Sequence, residues 1–168
     1  KGQKTTYLTG GLLWQYDGKY PMEAGLLLYP ENLSAADTTP GSVADGTYQY
    51  KAIYEIRNAV GEVFRSIPSS ALSVTLSGGP SVVTVTVPSL RITNRQATGS
   101  YHGDDKINVV LYRTVAGDAT TYYRVNSIQN LSTSNTVDIE DNVADSSLTD
   151  NELLYTNGGE LGNAAPPP

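Results

Sequence analysis

The chain has 168 residues, enough for one or two domains with a full hydrophobic core, and it contains no Cys and one His. The missing Cys excludes a disulfide scaffold, a thiolate metal site and a Cys nucleophile, and a lone His leaves little material for His-based metal or acid–base chemistry. Seventeen acidic residues against eleven basic ones give a formal net charge of -6, so neither a nucleic-acid partner nor an anionic membrane has an electrostatic footing. Charged residues are 17% of the chain, below the roughly 25% of an average domain. Twelve Tyr, sixteen Gly and nine Pro suit a β-rich, externally exposed structural or binding protein.

Residues 1–45 hold short apolar runs, Thr6–Thr9, Leu12–Tyr16 and Gly25–Tyr29, with Gly10-Gly11 and Asp17-Gly18 separating the first of them. Asp-Gly between apolar runs is a strong turn signal. From Glu31 to Gly46 the chain is polar and small, with Pro40-Gly41 inside it, and this composition predicts a linker or long loop.

Residues 46–142 form the expected β core. Tyr48, Tyr50, Ala52, Tyr54 and Ile56 alternate with Gln49, Lys51, Ile53, Glu55 and Arg57. The period of two puts the aromatic stripe on one face, toward a core, and Lys51, Glu55 and Arg57 on the solvent side. A turn at Asn58–Gly61 precedes a strand at 62–66, and Pro68 marks a bend or an edge. Strands follow at 71–76 and 81–87 around the Gly78-Gly79-Pro80 break, then at 106–113, 120–126 and 136–140, with Gly117-Asp118 as a hairpin turn. Seven or so short strands predict an antiparallel sandwich.

Residues 143–168 carry Thr149-Asp150-Asn151-Glu152, which has capping-box spacing, so one short helix is expected near 145–153. A return strand and the Pro166–Pro168 end follow. Tyr7–Leu13 and Tyr155–Leu161 share the pattern Y-x-x-G-G-x-L, which suggests two ends of one repeated β unit around an inserted sandwich. The opening Lys1 and the Pro-rich end lead to the expectation that the chain is a piece of something longer. No stretch reaches the roughly 18 apolar residues of a membrane helix, so no membrane insertion is expected.

Gly46–Thr75 resembles the last hairpin of a fibronectin type III domain, carried by Thr47–Tyr54, by Asn58-Ala59-Val60-Gly61-Glu62 and by Ser66–Thr75. Lys106–Asp141 resembles the middle strands of that family through Val109–Thr114, Tyr122–Val125 and Thr136–Asp141. End-like strands come first, so the resemblance implies a permuted Ig/fibronectin type III-like sandwich. The whole chain is similar to bacteriophage virion proteins of the tail-tube or nozzle class with β-propeller cores. The carrying motifs, in collinear order, are Gly10–Gly18, Leu28–Glu31, Gly46–Tyr50, Val110–Thr114 and Asn151–Gly159. That resemblance implies a non-catalytic structural role in a virion tail, outside the cell. Its partners would be copies of itself and other virion proteins, with a host-surface glycan or receptor as a further contact. The alternative is a carbohydrate- or receptor-binding sandwich module of a bacterial adhesin or secreted enzyme.

No residue is assigned as catalytic, cofactor-binding or metal-ligating, and no cofactor is expected. His102, between Ser100 and Asp104-Asp105, lacks a nucleophile-elbow motif and reads as a solvated loop residue. Asp104-Asp105 and Asp138, Glu140 and Asp141 supply oxygen ligands of the kind Ca²⁺ takes, without a calcium-loop pattern to organise them. Tyr122 and Tyr123 point to opposite faces, so one of them is the better candidate for an exposed aromatic. Asn32-Leu33-Ser34 and Asn130-Leu131-Ser132 match the glycosylation acceptor pattern.

Overall fold

The computed structural model describes residues 5–11, 13–18, 21–23, 28–58, 60–90, 107–130 and 133–154. They form an all-β, antiparallel sandwich with one short helix. Eleven strands occur among the described residues: β1 (Thr6–Leu8), β2 (Trp14–Tyr16), β3 (Pro21–Glu23), β4 (Ser34–Val43), β5 (Gly46–Arg57), β6 (Val63–Arg65), β7 (Leu72–Leu76), β8 (Ser81–Pro88), β9 (Ile107–Arg113), β10 (Tyr123–Gln129) and β11 (Thr136–Asp141). Helix α1 (Asp145–Leu148) follows β11. No described helix is long and apolar enough to cross a membrane.

One layer of the sandwich has the order β11-β8-β4, and the other runs β10-β9-β5-β6 with β7 also on β5. Twelve-residue β5 accepts β7 along Gly46–Tyr50 and β6 along Glu55–Arg57 on one edge, and β9 along Tyr50–Ile56 on the other. Pro68, which cannot donate to a ladder, falls in the interval where the chain leaves β6 for β7.

The inner faces meet in one apolar core. Val83, Val85, Val87, Val137 and Ile139 of the first layer pack against Tyr48, Tyr50, Tyr54, Ile56, Val109 and Leu111 of the second. Each fully buried Val or Ile contributes about 1.5–3 kcal/mol. The expected Tyr stripe therefore faces the core. Its hydroxyls are satisfied at the margins: Tyr48 donates to the Ala44 carbonyl (2.8 Å), Tyr54 to the Pro88 carbonyl (2.8 Å) and Tyr50 to Asp141 (2.8 Å).

Four expectations need correction. Residues 31–46, expected as a linker, contain β4, which pairs with β8 from Ser34↔Thr86 to Thr38↔Val82. Its side chains are small and exposed, so no apolar alternation marked it. β3 was not expected either; it closes a small meander by pairing Trp14↔Glu23 through Tyr16↔Pro21. Thr149 does not open a helix: α1 starts after Ala144 with no side-chain cap, and Thr149 ends it. Glu55 is buried rather than solvent-facing, because the outer face of the second layer is itself covered. There Ile53, Val110, Tyr112 and Tyr122 form a second apolar cluster, and Leu154 packs on it. The expected run at 25–29 lies partly outside the described residues, and Tyr155–Leu161 lies wholly outside them.

The covering segment continues from α1. Arg124 N–H donates to the Glu152 carbonyl (2.7 Å), Leu154 N–H to the Tyr122 carbonyl (2.8 Å) and the Asn151 side chain to the Arg124 carbonyl (2.8 Å). Residues 151–154 thus run along the start of β10 as a short strap.

Candidate functional site

The densest polar constellation lies inside the sandwich. Arg113 closes β9 in register with Tyr50, and its parity with Ile107, Val109 and Leu111 turns it inward. It has no solvent exposure. Its Nε sits 2.6 Å from Asp141 Oδ2 as an ion pair outside hydrogen-bond alignment. Nη1 donates to Asp145 (2.6 Å), Nη2 donates to the Val143 carbonyl (2.7 Å), and the guanidinium lies 4.7 Å from the centre of the Tyr48 ring. Asp141 also accepts from Tyr50 Oη (2.8 Å) and Val143 N–H (3.0 Å), and Asp145 accepts from Ala116 N–H (2.9 Å). Every charge here is spent on a neighbour. The arrangement ties α1 and the end of β11 to β9 and leaves no nucleophile or base free. Parity along β9 and β11 was the signal that could have revealed it.

A second ionic chain crosses the outer face: Glu55 to Arg65 (2.9 Å), Arg65 to Glu152 (2.8 Å) and Glu152 to Arg124 (3.1 Å). Burial alone would raise the Glu152 carboxyl, but hydrogen bonds and charge from Arg65 and Arg124 outweigh it and hold the group below its ordinary range. Beneath this chain Tyr112 is buried, and its hydroxyl has no hydrogen-bond partner among the described residues.

The open spaces lie at one end of the sandwich, on either side of Tyr29–Asn32. A cleft of about 430 Å³ is lined by Tyr29, Glu31, Asn32, Ser70 and Leu72, among others. Another, of about 360 Å³, shares Tyr29, Glu31 and Asn32 and is walled by Leu28, Tyr54 and Leu90. Asn32 takes a positive φ of 53°, a conformation Asn tolerates, at the turn into β4. Burial, followed by the negative charge of Glu31, pushes the Tyr54 hydroxyl up to about 12. This is a partly aromatic cleft with a carboxylate and a carboxamide at its rim.

The remaining candidates are dispersed. His102, Asp104 and Asp105 lie outside the described residues. Asp138 and Glu140 are exposed, whereas Asp141 is buried against Arg113, so the three carboxylates do not converge on one ion. Asp138 instead accepts from the Thr86 hydroxyl (2.6 Å). Among the described residues no group of three or more potential ligands is assembled. Tyr122 is buried under the Lys51 ammonium, 4.7 Å from its ring centre, and Tyr123 is half-buried. Asn130 is buried and exchanges two hydrogen bonds with the Leu90 backbone (2.9 and 2.8 Å), which closes it to a glycan; Asn32 is exposed.

The β1–β3 meander is the most exposed apolar feature. Tyr7, Leu8, Leu13 and Tyr16 are 53%, 50%, 45% and 40% exposed. The Thr5 hydroxyl bonds Glu62, and Asn58 donates to Thr5 (3.0 Å), which joins the start of β1 to the β5–β6 turn. No protein-family model, no curated protein and no solved structure matches the chain.

Proposed function

We propose that the chain is a non-catalytic structural part of a phage virion, in the tail-tube or nozzle assembly, working through contacts with copies of itself and other virion proteins. The observation that carries this reading is the β1–β3 meander. Three strands of three residues expose Tyr7, Leu8, Leu13 and Tyr16, and a sheet this small cannot bury its own apolar groups. It is suited to a larger β array that would cover it, as the propeller-flank resemblance expects. A permuted fibronectin type III-like sandwich agrees with β5–β7 and β9–β10 each pairing as hairpins. The three arginines described above face carboxylates rather than solvent, in keeping with a segment that makes no nucleic-acid contact. Mass photometry and negative-stain microscopy of the purified chain test the reading. Rings, tubes or discrete oligomers are expected; a strict monomer counts against it.

A second reading, a glycan- or receptor-binding module, draws on the cleft at Tyr29, Glu31 and Asn32, whose aromatic and polar groups suit sugar hydroxyls. A glycan array separates the two. Specific binding by a monomer, lost on Tyr29→Ala, favours the module.

A further inference from the structure

We propose that two copies of the chain associate by pairing β4 with β4 across a two-fold axis, so that the two β11-β8-β4 layers merge into one continuous sheet. The inference rests on the assembly reading above and names its contact.

β4 is bonded on one side only. Ser34–Thr38 pairs with β8 without interruption, and among the described residues nothing pairs with its other edge. Antiparallel geometry then turns alternate N–H and C=O groups of that stretch outward with no ladder partner. Natural edges of this kind are usually blunted by Lys, Pro, bulges or covering segments, because an open edge is a template for another strand. Here Ser34, Ala35, Ala36, Asp37 and Thr38 carry none of those devices. The irregularity comes only after Thr38.

The side chains permit a second strand on both faces. Ala35 and Asp37 share a face with Val85 and Val83, their cross-strand partners, yet both are exposed. Ser34, Ala36 and Thr38 are exposed on the opposite face. Nothing larger than Asp or Thr stands in the way at strand spacing. The charge pattern favours a second copy as the occupant. With the axis at Ala36, Asp37 lies opposite Ala35 of the other copy, so the one charge of the stretch never meets itself.

The other edges suit this less. The start of β10 is bonded by residues 152–154, and β11 exposes Asp138 and Glu140. β6 has three residues. β7, with five, is the remaining open edge and serves as the control.

Sedimentation velocity over a range of concentrations, with backbone hydrogen exchange on the same samples, tests the proposal. The expected result is a reversible dimer whose formation slows exchange at alternate amides of Ser34–Thr38. Ala36→Lys sets two ammonium groups face to face and is expected to weaken association by about tenfold or more, with thermal unfolding unchanged. Ser73→Lys on β7 is expected to leave association as it was. If Ala36→Lys unfolds the chain, the exchange pattern of the unaltered protein decides alone. Association that leaves the outward amides of Ser34–Thr38 unprotected, or that survives in folded Ala36→Lys, overturns the β4 contact while the assembly reading stands. A chain that stays monomeric overturns both.

Discussion

Arg113 Nε and Asp141 Oδ2 lie 2.6 Å apart, and neither side chain has any solvent exposure. A buried pair of this kind gives little net stability against an apolar replacement, but breaking it strands the surviving charge. The pair joins β9 of one layer to β11 of the other, and Asp145 brings α1 to the same guanidinium.

Arg113→Met is therefore expected to destabilise the fold by about 3–5 kcal/mol, because Asp141 keeps its burial and loses its counter-charge. Tyr50→Phe, which removes one hydrogen bond to the same carboxylate, is expected to cost about 1.5–3 kcal/mol. Urea unfolding followed by fluorescence measures both. A loss for Arg113→Met no larger than that of an exposed Arg57→Met would show that the pair does not hold the layers together.

The core tyrosines predict an alkaline limit. Burial raises the hydroxyls of Tyr48 and Tyr50 above the ordinary 10.0 and lifts Tyr54 to about 12. A group whose folded value is raised contributes stability that is full below its unfolded value and fades as pH climbs through the folded one. Stability is thus expected to be flat up to pH 10 and to fall between 10 and 12. Ultraviolet titration of tyrosinate should show these three ionising only as the fold opens; reversible ionisation in folded protein near pH 10 would contradict their burial.

The strap at 151–154 has an acid limit. Glu152 is held below its ordinary 4.5 by Arg65 and Arg124, so its stabilising share is full above 4.5 and is lost as pH falls through the depressed folded value. Amide exchange at Leu154 is expected to quicken below pH 4.5. In Glu152→Gln it should already be faster at neutral pH and show a weaker acid response. Identical profiles for the two proteins would remove Glu152 from the clamp.

Gly41 sits where β4 is nearest to β8. Its N–H donates to the Pro80 carbonyl (2.8 Å), and a Cβ there would overlap the Ser81 backbone. Gly41→Ala is expected to cost about 1–3 kcal/mol through forced backbone movement. A thermal melt unchanged by the substitution would mean that β4 does not lie where the structure puts it.

The strands legible in the sequence were those with an apolar parity. The Tyr48–Ile56 stripe and the Val83, Val85, Val87 run announce a half-buried surface, and they form β5 and β8. β4 gave no such signal, because an edge strand exposed on both faces needs no apolar residue, and its Pro40-Gly41 pair looks like a loop. Thr149 and Glu152 had capping-box spacing, but Glu152 is drawn to Arg65 and Arg124, and α1 ends at Thr149. Glu55 was placed on the correct face by parity. Only the strap arriving from far along the chain made that face an interior one, and local pattern carries no information about it. Arg113 and Asp141 obey the parity of their strands, yet a charge at an inward position is legible only when its partners are known.

The central claim is that this sandwich is a building block that associates with its own kind. Sedimentation velocity of the unaltered chain across a wide concentration range tests it most directly. A sedimentation coefficient that rises reversibly with concentration toward a discrete oligomer is the predicted result. A single monomeric species at every concentration would contradict it.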